Sequence, residues 1–486
     1  MPWRTRRVRS PTRRVSEVST SYRAGAAAGG ADLVDGVPRR RIAVAAMVGT
    51  TIEFYDFYVY AAAAVTVFPQ LFFPKGNPTA ALLASLATFG LAFVARPLGS
   101  ILFGHFGDRL GRKSTLVASL LLMGVATFLI GVLPTYHHIG LLAPVLLAAL
   151  RFCQGLALGG EWSGAALLAT ETAKPGRRAT AGIWPQLGAP LGYLIATAIF
   201  LILFAWLGPV AGGAAPDGAF LTWGWRIPFL LSAVMVAVGL YVRLRLTETP
   251  VFAQAIATGA PVNAPIAQLL RRSWRRLIIG TLVMVVPYTL FYTVTTWSLS
   301  YGTAKRPPEG FGLGYGYADF LGLQLIAVLF FVCVLPIVGR LADHFGRRPL
   351  LLIFTAGIMV YGTTFGAFLK PTASTGAMLA FLIIGMTLMG LAFGPMSAVL
   401  PELFPTNVRY TGSGVAYNAA SILGAAVAPF ITTWLAASHG VAWVGGYLST
   451  AAALSFVALL AMHETRDTEL HDVGVADHVG DALHPG

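Results

Sequence analysis

Charge is scarce in this chain. Asp, Glu, Lys and Arg make up 11% of its 486 residues, against about 25% in ordinary soluble proteins. With 56% apolar residues and a mean hydropathy of +0.71, such a chain would not stay dispersed in water. A soluble enzyme and a disordered scaffold are both excluded. Cysteine is nearly absent: Cys153 and Cys333 lie in separate apolar segments and make neither a disulfide framework nor a metal pair. No G-x-x-x-x-G-K-[ST] loop is present, which argues against a primary ATP-driven machine. No H-E-x-x-H or clustered Cys/His spacing offers a metal site, so no metal and no cofactor is expected. The glycine-rich run GFGLGYG at 310–316 does not fit a dinucleotide loop and reads as a connection.

What abounds is long apolar sequence. A bilayer-spanning helix needs about 20 mostly apolar residues, and twelve such stretches follow one another: 42–68, 80–104, 114–134, 140–168, 181–207, 223–245, 277–301, 317–339, 349–369, 376–399, 412–437 and 442–463. The expected fold class is therefore an all-α membrane protein with twelve transmembrane helices. The net charge of +14 does not mark a nucleic-acid face, because its placement follows topology: ten arginines lie between Arg4 and Arg41, and alternate connections hold sixteen basic residues against four in the others. By the positive-inside rule both termini face the cytoplasm of a multi-pass cell (plasma or inner) membrane protein. The first 41 residues read as a disordered basic tail attracted to anionic lipid.

The chain is doubled. After stretch two it reads Gly104-His-Phe-Gly-Asp108-Arg109-Leu-Gly111-Arg112-Lys113; after stretch eight, Gly339-Arg-Leu-Ala-Asp343-His-Phe-Gly346-Arg347-Arg348. A second pair, Glu171 with Arg178 and Glu402 with Arg409, follows stretches four and ten as E-x6-R. The plan divides into a basic tail (1–41), an N-terminal six-helix bundle (42–245), a central cytoplasmic loop (246–276), a C-terminal six-helix bundle (277–463) and a cytoplasmic tail (464–486). Duplicated six-helix units are a transporter plan.

These doubled loops resemble the signature of the major facilitator superfamily. The run Arg151-Phe-Cys-Gln154-Gly155 resembles its second motif. The strings GTTIEFYDFYVY, ARPLGSILFGHFGDRLGRK, QGLALGGEWSGAALLATE and ETPVF resemble the metabolite:proton symporter family within it. The resemblance covers about residues 42–463. It implies a two-bundle fold working by alternating access, with organic acids or zwitterions as ligands: 2-oxoglutarate, shikimate, dicarboxylates, or proline and betaine. The chain departs from the pattern at Phe54, where the family usually has Trp, and at Asp343-His-Phe.

A few ionisable residues interrupt the apolar stretches. Each charge at a helix centre costs about 2.5–3.5 kcal/mol on insertion scales, so such groups usually face a cavity and find partners. Glu53 and Asp56 lie in stretch one with Gly49 and Tyr60 on one helical stripe; Arg96 lies in stretch two and Arg151 in stretch four. Depth counting matches Glu53 to Arg96 and Asp56 to Arg151. Either the four are static ion pairs, or a carboxylate loads a proton. An acid of stretch one paired with an Arg of stretch four is a coupling arrangement that the resemblance implies, and Asp56 and Arg151 match it. Substrate contacts are expected from Arg151, Arg96, Gln154, Tyr60, Tyr288, Tyr292, Trp297 and Asn418. A gate is expected from Gly104, Asp108, Arg109, Gly111, Arg112, Glu171 and Arg178 with Asp343, Gly346, Arg347, Glu402 and Arg409. The expected function is proton-coupled symport of a small organic acid, with membrane lipid as the other partner and a monomer as the working unit. The alternatives are a proline- or betaine-type osmolyte symporter, an efflux antiporter of the same fold, or a receptor that kept the fold and lost transport.

Overall fold

The computed structural model describes residues 33–34, 37–74, 77–110, 112–208, 218–244, 265–405 and 408–467, by their backbone alone at 33–34, 37, 104–110, 112–116, 242–244 and 265. Most of the basic tail, most of the central loop and the end of the C-terminal tail lie outside these residues. Apart from one small hairpin pairing Leu33–Val34 with Val37–Pro38, the described regular structure is helical.

Ten described helices are long and apolar enough to cross a membrane, among them Arg39–Thr66, Arg178–Leu207, Tyr317–Phe345 and Val441–Ala461. The first starts at Arg39, three residues before the expected boundary. Two expected stretches carry less: the apolar part of stretch three is Val117–Val132, and stretch nine is the 17-residue helix Arg347–Thr363. The outer surface carries large apolar side chains such as Trp206, Leu141, Val125, Val360 and Val457. A contiguous apolar exterior suits lipid rather than water.

Glycines set how closely the helices approach. A Cβ on Gly155 would strike the backbone of Ala92, and one on Gly159 would strike the backbone of Arg96 and Ser100. Stretches two and four therefore pack backbone to backbone, as small residues allow in membrane helices. Gly188 does the same for stretch five against Thr50 of stretch one.

Stretches four and ten are each broken at one place. Leu142–Leu158 gives way to Glu161–Glu171 across Gly159-Gly160, and Thr375–Phe393 to Met396–Glu402 across Gly394-Pro395. A break frees backbone carbonyls, which must find donors at membrane depth. Stretch eleven supplies two: Asn418 Nδ2 donates to Gly159 O at 2.9 Å, and the Tyr410 hydroxyl donates to Gly160 O.

Candidate functional site

Two buried guanidinium groups define the centre. Arg151 is fully buried and Arg96 is 3% exposed. They share the ring of Phe57, with the Arg151 Cζ 4.1 Å and the Arg96 Cζ 4.8 Å from its centroid. Arg151 also lies over Tyr60 at 4.1 Å and Arg96 over Phe93 at 4.8 Å. Tyr292 packs edge-on against Phe57, Phe89 and Phe93 and acts electrostatically on both arginines. Cation–π contact lowers the cost of burying a guanidinium but leaves its in-plane N–H groups unused. Arg151 donates Nη1 to Gln154 Oε1 at 2.9 Å, while its Nε and Nη2 and the Nε of Arg96 have no hydrogen-bond partner among the described residues. Such an edge fits a carboxylate through two parallel bonds.

The two acids part company. Glu53 lies within electrostatic reach of Arg96 and of Tyr417, in keeping with its depth. Asp56 does not pair with Arg151. Its carboxyl faces Thr127 of stretch three and Ser232 of stretch six, with Oδ1 unpartnered. The reason is helical rotation: residues three apart diverge by about 60° around the axis, enough to give the two acids different neighbours. Asp56 reaches Arg151 only indirectly. Gln154 Nε2 donates to Thr127 Oγ1 at 2.7 Å and Gln154 Oε1 receives Arg151, so the order is Asp56, Thr127, Gln154, Arg151.

Three of the expected substrate contacts have protein neighbours of their own. Gln154 spends its amide on Thr127 and Arg151, within the protein. Asn418 gives its N–H groups to Ser100 Oγ at 2.6 Å and Gly159 O at 2.9 Å, so it latches stretch eleven onto stretches two and four. Trp297 stacks on Tyr301 at 5.1 Å and lies against Phe365, and its Nε1 has no hydrogen-bond partner among the described residues. Tyr288 is placed with the arginines: it acts on Arg96 and its ring lies 5.2 Å from Tyr417. Tyr60 lies under Arg151 and bonds Thr88 at 2.8 Å. Sequence reading missed Thr127, Ser232, Phe57 and Tyr417. A single hydroxyl or ring inside an apolar run carries no periodic signal that separates it from packing.

The end of the fold bearing the duplicated loops is sealed. Trp162 stacks on Tyr417 with centroids 3.9 Å apart and planes at 5°. Gln186 accepts from Trp162 Nε1 at 3.1 Å and donates to Phe393 O at 2.7 Å. Asp343 accepts the backbone N–H groups of Ala179 and Thr180, both at 2.9 Å, where a carboxylate suits the start of the helix Arg178–Leu207. Arg347 bridges Asp343 at 3.4 Å and Glu402 at 3.1 Å, and Arg178 reaches Glu402 at 3.8 Å. Arg409 lies within electrostatic reach of Glu171. Each acid of the duplicated E-x6-R pair thus faces the arginine of the other copy. Glu464, just past stretch twelve, accepts from the N–H groups of Arg347 and Arg348, and Thr465 donates to Glu402 at 2.6 Å. Gly346 has φ +95°, and a Cβ there would meet the Glu464 carboxylate. The side chains of Gly104, Asp108, Arg109, Gly111 and Arg112 lie outside the described residues.

At the opposite end Tyr317 meets Phe204 with centroids 5.0 Å apart. A cavity of ≈ 20 Å³ is lined by Tyr58, Tyr193, Thr197, Thr295, Thr296 and Gln324, among others. That is room for about one water, far below the roughly 300 Å³ of a small-molecule pocket.

Comparison with known proteins gives the family and the fold. The profile described as Major Facilitator Superfamily matches residues 46–425. The inner membrane metabolite transport protein YhjE of Escherichia coli (strain K12) is 52% identical over 432 residues, 89% of this chain and 96% of that protein. The shikimate transporter of the same organism is 34% identical, covering 88% and 95%, and its proline/betaine transporter 30% identical, covering 90% and 86%. Among solved structures, the proton:xylose symporter XylE superposes with a TM-score of 0.69 at 17% identity, covering 90% of this chain and 98% of that one.

Proposed function

Since the chain belongs to the major facilitator superfamily, a group of multi-pass secondary transporters of small polar molecules, we propose that it is a proton-coupled symporter of a small organic acid, of the metabolite:proton type. Twelve helices in two six-helix bundles, 42–245 and 277–463, rock around a central site in the inner membrane, with both termini cytoplasmic. The observation that carries this reading is the pair of buried arginines on Phe57, whose Nε groups, and the Nη2 of Arg151, lack a protein acceptor. Arg96 has Glu53 nearby, but among the described residues no carboxylate acts on the buried Arg151; an unpaired buried guanidinium is costly, and a substrate carboxylate supplies the missing charge on arrival.

Proton coupling falls to Asp56, with Glu53 assisting through Arg96. Thr127 stands between Asp56 and Gln154, and Gln154 orients Arg151. When Asp56 is ionised, the Thr127 hydroxyl turns its proton to it; when Asp56 is neutral, that proton returns to the Met123 carbonyl, 2.9 Å away. The lean of Gln154, and with it Arg151, then follows the protonation of Asp56. A relative named for proline and betaine makes zwitterions the second reading, since these too carry a carboxylate for Arg151.

The test is uptake by the purified chain in liposomes with an inward pH gradient, over labelled carboxylates and a cation lacking any carboxylate. Carboxylate accumulation that collapses with the gradient is expected. Transport of the cation alone would overturn the reading.

A further inference from the structure

Gln324 of stretch eight is fully buried and only half satisfied. Its Nε2 donates to Thr295 O at 2.9 Å and to Ser298 Oγ at 3.3 Å, while its Oε1 has no hydrogen-bond partner among the described residues. Its orientation is set by chemistry: turning the amide over would point an acceptor at the Thr295 carbonyl, leaving two lone-pair groups face to face. The free acceptor therefore stays where it is, on a residue lining the small central cavity. The rest of that lining is neutral. It carries the hydroxyl-bearing side chains of Tyr58, Tyr193, Thr197, Thr295 and Thr296, drawn from stretches one, five and seven, and no charged residue. Both halves of the chain thus contribute to one small uncharged chamber, in which hydroxyls stand beside the apolar side chains of Ala61, Ala62, Leu299 and Leu321.

We propose that this chamber is the subsite for a hydroxyl group of the substrate, which donates to Gln324 Oε1, so that the transported compound is a hydroxylated carboxylic acid. The inference rests on the carboxylate reading of Arg151 and extends it to the other end of the molecule. Three chemistries are separated by the lining. A hydroxyl is a neutral donor and satisfies Oε1 without bringing charge. An ammonium group also donates, but no carboxylate in the lining receives its charge, and an unpaired buried charge is expensive. A quaternary ammonium has neither the donor nor a counter-charge. An analogue lacking the hydroxyl leaves the buried acceptor unmade and binds about tenfold to a hundredfold more weakly.

The experiment uses the full-length chain in proteoliposomes under a pH gradient, with four labelled probes: shikimate, its deoxygenated analogue cyclohexene-carboxylate, proline and glycine betaine. Shikimate should be taken up with a kcat/KM at least about tenfold above its deoxygenated analogue and above both zwitterions. Gln324→Leu should bring shikimate and the analogue level while uptake of the analogue itself persists. Equal handling of the two by the wild-type chain, or a preference for betaine, overturns the hydroxyl subsite and leaves the carboxylate reading standing. Rejection of all four together with uptake of a carboxylate-free cation overturns both. Should Gln324→Leu fail to fold, the wild-type ratio decides alone.

Discussion

Arg178 of the first half reaches Glu402 of the second at 3.8 Å, and Glu402 is held at the same time by Arg347 at 3.1 Å. Glu402 is buried, so it ties the two halves together where removing one partner strands the others. Breaking a buried pair costs about 3–5 kcal/mol, well above the 0–1 kcal/mol of an exposed one. Glu402→Gln should therefore open this end. The check is the labelling rate of Ser397→Cys, buried beside Gly182 in the native fold: it should rise several-fold in inside-out vesicles, and Asp343→Asn should act in the same direction. An unchanged rate in both variants removes the gate.

Asp56→Asn keeps size and hydrogen bonding but fixes neutrality. Gradient-driven accumulation should be lost while substrate counterflow, which needs no net proton movement, survives. Thr127→Val should shift the pH profile of transport while Thr127→Ser restores it, because only the hydroxyl links Asp56 to Gln154. Substrate-driven alkalinisation persisting in Asp56→Asn would assign the proton to another group.

Arg151→Lys retains charge and loses the planar edge that offers parallel donors to a carboxylate. It also loses the flat face that lies over Phe57 and Tyr60. Transport should fall at least about tenfold, mainly through KM, for a loss of about 1.5–3 kcal/mol in a charged hydrogen bond. Full activity with lysine would mean that Arg96 alone receives the substrate.

Gly155→Ala tests the backbone contact between stretches two and four. Its Cβ would run into Ala92, so the melting temperature in detergent should drop, by an overpacking cost of about 1–3 kcal/mol. Gly446→Ala is the control: nothing lies within 4 Å of its Cβ position, and alanine there should be neutral or slightly stabilising by helix propensity.

Orientation is checked by cysteines introduced at Ser19, Ala257 and Asp477. None should react with an impermeant reagent in intact cells, and all should react after lysis. Labelling of any one before lysis reverses the topology.

Composition and spacing carried the large-scale plan on their own, for a physical reason: in a bilayer each helix satisfies its own backbone, so a span is a local property readable from about 20 residues. The same holds for the doubled loops, whose charges repeat at fixed positions. What the linear chain could not decide is azimuth and partner. Asp56 and Arg151, matched by depth counting, face different neighbours. Asn418 and Gln154, polar residues in apolar runs, are spent inside the protein on Gly159, Ser100, Thr127 and Arg151. The exchange of acids between the two E-x6-R copies, and the docking of Glu464 onto Arg347 and Arg348, also exist only once helices distant in sequence are packed. A polar side chain in a membrane must find a partner, and which partner it finds is set by the rotation and close approach that glycines such as Gly155 and Gly159 permit. Those are properties of the assembled bundle rather than of any single helix.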